Sequence, residues 1–406
     1  MKIPFRPNCG AIPFLVNTIA WGICFGCFQA TINNFLVDVH GFTPDQRGML
    51  ELFREMPGLL LVFILALMHR VSDWKILRLS AAIGMIGVAS LCLPATPVTV
   101  IALIVIWSLG EHIAMPVRSA IGMQVAQDGR GGEALGFLNG ATNAGSVFGN
   151  LVVFAVFWTW ANKFDTIPKV NFYNGVWIFI LALMAVGLWA AFTRQAPVSH
   201  AKRPRLYFNW KFKLFYGLEL FYGARKQVFY TFAPFVLIKN YGVDTQYMGL
   251  LMGLSAVINM VGGPLIGRII DYLGYRTVMV YDTVILFFVC LFYGYAGDWF
   301  SPAAATWVVC INYLLDGLIS TTSMATNLYV RDTASSQEEL TSTLSTGISI
   351  NHLISILVGP LGGIIWVKYG VGVLFTFSAL MAIANSLCAM QIPRRSMRNA
   401  EFGMRN

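Results

Sequence analysis

Apolar residues along the 406-residue chain come in long, nearly unbroken runs, without the strict alternation of strands or the single apolar face of surface helices. An α-helix rises 1.5 Å per residue, so about 20 mostly apolar residues cross a bilayer core about 30 Å thick. Runs of that kind, cut by Gly, Pro and charge clusters, cover 11–38, 45–68, 76–94, 97–126, 133–159 and 172–193. A polar stretch from Arg194 to Lys211 follows, holding Lys202, Arg203, Pro204 and Arg205. Six more runs cover 212–239, 246–269, 277–296, 302–330, 339–366 and 370–391. The pattern predicts an all-α membrane protein with 12 transmembrane helices in two pseudo-symmetric six-helix bundles, 1–193 and 212–406, joined by a basic cytoplasmic linker, 194–211. Several runs exceed the bilayer thickness, which implies tilt or extension beyond it.

Composition narrows the class. Hydrophobic residues make up 57% and charged residues 12% of the chain, against about 25% charged in average globular proteins. A soluble chain of this length needs more polar surface, which excludes a cytosolic enzyme, a nucleic-acid binder and a disordered protein. The net charge of +9 is explained by its placement. With the N-terminus inside, 19 Lys and Arg fall in inside segments and 5 in outside segments. That asymmetry puts both termini in the cytoplasm and fits an even span count. The N-terminal MKIPFRPNCG has no small-residue cleavage site after a short apolar core, so the first span is read as retained. Cys24, Cys27, Cys92, Cys290, Cys310 and Cys388 lie within apolar runs and read as small buried residues, not as a disulfide framework.

The two halves echo each other. Gly267, Asp271, Gly274 and Arg276 follow the eighth run as GxxxDxxGxR, and His69, Arg70, Ser72, Asp73 and Lys75 occupy the equivalent place after the second. Glu111 and Asp316 lie in the fourth and tenth runs, and Asp128 and Asp332 in the loops after them. The GxxxDxxGxR loop within a 6+6 plan resembles the major facilitator superfamily over nearly the whole chain. The first copy departs from the family pattern, with His69 in place of an Asp and Ser72 in place of a Gly. Gly145 and Gly149 in the fifth run weakly resemble an antiporter motif, with Ser146 where that motif has proline. The resemblance implies that spans 1, 4, 7 and 10 line a central cavity and that the halves rock to open it to either side.

Intramembrane charge points to the same spans. A charge at bilayer depth costs at least about 2.5–3.5 kcal/mol, so it faces a cavity or a partner. Glu111 and His112 fall mid-span in the fourth run, Arg225 and Lys226 in the seventh, and Asp316 in the tenth. Gln29 and Asn33 lie in the outer half of the first. Glu111 and Arg118 share a helical face at a spacing of seven, as do Glu219, Tyr222 and Lys226. Arg225 and Lys226 point about 100° apart, so one at most faces the cavity squarely. The alternative is that these charges only pair to hold the bundle together. Glu51, Arg54 and Glu55 form either a self-neutralising surface cluster near the outer mouth or an outer gate. His352 reads as a hydrogen bonder between packed helices. Cys24 and Cys27 with His112 form a poor ligand set, because one helix supplies both thiols, and no metal or other cofactor is expected.

These residues assign Gln29, Asn33, Arg118, Tyr222, Arg225 and Lys226 to substrate binding, and Glu111, His112 and Asp316 to proton coupling. Gly267, Asp271, Gly274 and Arg276 form the conformational loop. The expected function is a proton-coupled secondary transporter, a symporter, for a small polar, anionic or zwitterionic organic solute, working as a monomer in a bacterial inner membrane. Its partners are the solute, protons and lipid, not nucleic acid. The alternatives are a proton-driven exporter of drugs or cationic solutes and a membrane sensor or receptor. No HExxH, serine elbow or glycine-rich phosphate loop is present, so no enzymatic activity is expected.

Overall fold

The computed structural model describes residues 4–5, 10–68, 70–93, 95–127, 130–192 and 207–393. The linker residues Lys202 to Arg205 and the loop residues His69 and Asp128 lie outside these. Among the described residues there are thirteen α-helices and two short 3-10 turns, with a single bridge between Phe5 and Ala126 in place of any strand. The helices are α1 (Ala11–Asp38), α2 (Pro44–Leu59), α3 (Leu61–Leu67), α4 (Asp73–Ser90), α5 (Pro97–Val125), α6 (Gly131–Lys163) and α7 (Lys169–Phe192). They continue with α8 (Lys213–Tyr241), α9 (Thr245–Leu273), α10 (Tyr275–Trp299), α11 (Pro302–Ser320), α12 (Met324–Thr333) and α13 (Gln337–Met390). Eight helical segments are long and apolar enough to cross a membrane. Large apolar side chains such as Ile12, Val98, Trp189 and Trp307 stand exposed on them, which suits a lipid-facing surface.

Local chemistry explains where the helices break. The second apolar run divides at Leu60 because Pro57, inside α2, supplies no N–H to the ladder, and the Leu60 N–H turns back to Met56 and Gly58. The tenth run divides at Ser320 to Ser323. There Thr321 Oγ1 donates to Leu318 O and Thr322 Oγ1 to Ile319 O, both at 2.7 Å. Hydroxyls bonded to nearby carbonyls compete with helical hydrogen bonding and tighten the turn. α13 contains Gly370 at φ 87°, ψ 171°, which is not helical. Leu340 and Ala389, from opposite ends of α13, pack in one apolar cluster, so the chain doubles back at Gly370.

Helix directions define a near end, carrying Phe5 and Ile392, and a far end, carrying Asp38 and Asp244. At the near end, among the described residues, early helices bond to early segments and late to late: Gln127 donates to Phe5 O at 3.1 Å, Arg78 to Ala191 O at 3.0 Å, and Thr346 to Tyr207 O at 2.7 Å. At the far end, early helices bond to late ones. Asn34 donates to Val243 O at 3.0 Å, Lys169 Nζ lies 2.7 Å from Asp38 and 3.1 Å from Asp244, and Tyr173 bridges Asp38 and Thr245. Also toward that end α2 and α13 touch backbone to backbone. A Cβ on Gly363 would lie 2.7 Å from Pro44 O and 2.8 Å from Asp45 Cα.

Candidate solute-binding and coupling site

Arg47, Glu51, Arg54 and Glu55 recur along α2 at i, i+4, i+7 and i+8, which stacks them along one side of the helix. Arg47 Nη1 donates to Glu51 Oε1 at 2.5 Å, and Arg54 grips Glu51 Oε2 through Nε at 3.0 Å and Nη2 at 2.8 Å. Arg54 also donates to Glu55 Oε1. Late helices complete the cluster: Gln227 Nε2 on α8 donates to Glu51 Oε2 at 3.2 Å, and His352 Nδ1 on α13 lies 2.7 Å from Glu55 Oε2. Glu51 is 0% exposed. The cluster is self-neutralising, but the expectation that it lies at the surface is overturned. Sequence spacing shows which residues share a helix face, not what covers that face, and here α8 and α13 cover it.

A cavity of ≈ 20 Å³ adjoins the cluster, lined by Gln29, Glu51, Arg54, Trp107, Glu111 and Tyr230 among others. That is room for about one water. Gln29 Nε2 donates to Tyr230 OH at 2.8 Å, linking α1 to α8. Asn33, expected to meet solute, is buried and accepts from Arg47 Nε at 2.9 Å. Glu111 lines the cavity and lies in the field of Arg54, Glu55, Glu51 and Arg118. Arg118 does not bond Glu111; its Nη2 donates to Asn17 at 3.3 Å, and its guanidinium sits 4.2 Å from the Trp21 ring. Trp21 and Trp107 stack on each other, and Trp107 also on Phe28, so these rings serve the packing of α1 against α5.

The adjacent cations on α8 separate as their rotation requires. Arg225 is 2% exposed and its Nη1 donates to Asp316 on α11. Its Nε and Nη2 find no partner among the described residues. Tyr222 and Phe229 place ring faces 5.2 and 5.6 Å from the guanidinium. Tyr222 OH donates to Ser320 O at 3.1 Å. Lys226 is exposed one residue on, in the field of both Glu219 and Asp316. Glu219 accepts from Asn351 on α13. One Arg–Asp pair and one open lysine thus face the α8–α11 side.

A sequence model of the Major Facilitator Superfamily matches residues 18–334 and 220–403. The chain belongs to the major facilitator superfamily. As a member it is an integral membrane transporter and not an enzyme. Solved transporters share the fold at low identity. The nucleoside transporter NupG is 14% identical with a TM-score of 0.74, over 94% of this chain and 98% of that one. A D-xylose-proton symporter is 14% identical with a TM-score of 0.71, over 94% and 98%. A bacterial homologue of the human lysosomal transporter Spinster, in an inward-facing and occupied conformation, is 15% identical with a TM-score of 0.66, over 96% of each chain. No curated protein matches the sequence.

The superfamily loop is asymmetric here. Gly274 adopts φ 80°, open to glycine, where α9 turns into α10. Arg276 Nη2 donates to Met390 O at 2.8 Å, and Gly267 is half-buried beside Met324. Asp271 is exposed. Asp73, one residue past the Ser72 of the first-half loop, is buried and accepts from Gln124 Nε2 at 2.6 Å. The cysteines fall away from His112: Cys24 turns to Ile180 O and Cys27 to Gly149 O. Sequence reasoning missed Gln227 and the link from His352 to Glu55. A mid-span Gln one residue from a lysine was a visible signal for the first. The second joins residues 297 apart in sequence, and no local pattern carries it.

Proposed function

We propose that the chain is a proton-coupled secondary transporter for a small polar, anionic or zwitterionic organic solute, working by alternating access between two six-helix bundles. Twelve crossings result if α2 with α3 and α11 with α12 each count once and α13 counts twice, divided at Gly370. The placement we favour is a bacterial inner membrane, both termini cytoplasmic and the basic linker on that side, with the protein acting as a monomer. The far-end contacts then close the outer mouth, with Glu51, Arg54 and Glu55 as a deeper gate. Asp271 engages an early helix only when the near end closes.

The observation that carries this reading is the Arg225–Asp316 pair beside the open Lys226. Two Arg225 nitrogens lack partners among the described residues, so an anionic group arriving at Lys226 competes with Asp316 for the guanidinium. A carboxylate that loses its cation is easier to protonate. Solute and proton therefore bind in the same direction, as symport requires. The transporters of similar fold include ones for nucleosides and for D-xylose with a proton, and these support a small polar cargo.

A thermal-shift panel of carboxylates, amino acids, short peptides, phosphates, sugars, nucleosides and organic cations identifies the cargo. Liposome assays then compare uptake driven by a pH gradient with exchange at equal pH. Asp316→Asn is expected to lose the first and keep the second. Wild-type accumulation by Asp316→Asn, or stabilisation by organic cations alone, overturns the proposal; the second result favours the exporter.

A further inference from the structure

Glu55, His112 and His352 come from three helices, α2, α5 and α13, and offer one ligand atom each, all within 4.8 Å of one another. Their arrangement is more than proximity. His112 Nδ1 lies 2.8 Å from Ser108 O. A backbone carbonyl only accepts, so Nδ1 carries the hydrogen and Nε2 keeps its lone pair. That is the orientation found in metal-ligating histidines, whose second nitrogen donates to a carbonyl or carboxylate. Glu55 is likewise held: Oε1 accepts from Arg54, leaving Oε2 toward His352. Gly58, three residues after Glu55, makes the space. A Cβ there would lie 2.6 Å from His352 Cε1 and 2.7 Å from His112 Cδ2, so any side chain would force the rings apart.

We propose that these three residues form a binding site for a divalent transition-metal ion of the Zn²⁺ class, which clamps the far-end-closed conformation. Two imidazoles and one carboxylate are a known three-ligand set for such an ion, with the fourth position open to water. At Zn²⁺ bonds of about 2.0–2.2 Å the ion replaces the hydrogen between His352 Nδ1 and Glu55 Oε2, now 2.7 Å apart; that pair opens, its proton leaves to solvent, and side-chain rotation draws His112 in. The charge balance permits it. Arg54 is shared between Glu51 and Glu55 Oε1, which leaves Glu55 Oε2 to serve the ion. The clamp follows from topology: α2 and α5 belong to the early helices and α13 to the late ones. An ion held by all three opposes their separation, so it acts as a brake on the cycle.

The test uses the full-length protein, purified without a polyhistidine tag, with Zn²⁺ and Co²⁺ as probes and Mg²⁺ as control. Calorimetry is expected to show one Zn²⁺ per chain, with binding weaker by about tenfold or more in His352→Gln and Glu55→Gln. One equivalent of Co²⁺ is expected to give the visible absorption of a tetrahedral nitrogen–oxygen site, bleached by Zn²⁺. Hydrogen exchange in α2 and the first part of α13 is expected to slow with Zn²⁺ in wild type and not in His352→Gln. Unchanged Zn²⁺ affinity in both variants would overturn the assignment. If a variant fails to fold, the wild-type Co²⁺ spectrum decides, and an octahedral spectrum or none rejects the site. Zn²⁺ binding that leaves exchange in both helices unaltered rejects the clamp.

Discussion

Arg225 buries a guanidinium whose only ion-pair partner among the described residues is Asp316. Removing one member of such a pair strands the other, at a cost of about 3–5 kcal/mol, whereas replacing both with apolar groups of similar volume is often neutral or better. Arg225→Gln and Asp316→Leu are each expected to lower the melting temperature markedly, and Arg225→Met with Asp316→Leu to recover most of the loss while abolishing transport. Melting curves of the three proteins check this; an equally unstable double variant would show that the pair is not what the single changes disturb. The sequence made both charges visible as mid-span anomalies. It did not show that Arg225 turns inward and Lys226 outward, because neighbours 100° apart are assigned only by the partner helix, here α11.

Among the elements, α2 and α13 approach one another backbone to backbone. Gly48, Gly359 and Gly363 let backbone meet backbone, and the Gly363 neighbours are main-chain atoms that no rotamer change can move. Gly363→Val is expected to cost about 1–3 kcal/mol by overpacking and to loosen the packing around position 227 below the contact. Thiol labelling of a Gln227→Cys reporter then speeds up; labelling as slow as in the parent would mean the contact tolerates the side chain. Apolar runs announced the helices themselves, and Pro57 and the Ser-Thr-Thr-Ser stretch at 320–323 hinted at two of the breaks. Glycines in a membrane helix say only that something comes near. Which helix comes near is decided by tertiary packing, so Gly363 and Pro44 could not be joined on paper.

At the scale of the whole molecule, α2 raises a question of assembly. It is not among the helices apolar enough to cross a membrane unaided. Four isolated charges would oppose insertion by roughly 10–14 kcal/mol, taking about 2.5–3.5 kcal/mol for each. The partners from the late helices reach it last: Gln227 follows Glu51 by 176 residues and His352 follows Glu55 by 297. At about 5–20 residues per second, ribosomes need roughly 15–60 s to make the longer stretch. During that interval the helix must reside in or beside the translocon with its charges unserved by α8 or α13. The ladder Arg47–Glu51–Arg54–Glu55 needs nothing beyond α2 itself, because every rung is a contact within the helix. It balances its own four charges as soon as the helix winds, so the ladder enters the bilayer as a net-neutral set. Arg54→Leu, although more apolar, is therefore expected to insert worse than wild type in a glycosylation-mapping assay of the nascent chain, and Arg54→Lys nearly as well. Better insertion by the leucine variant would assign the ladder to the finished protein alone.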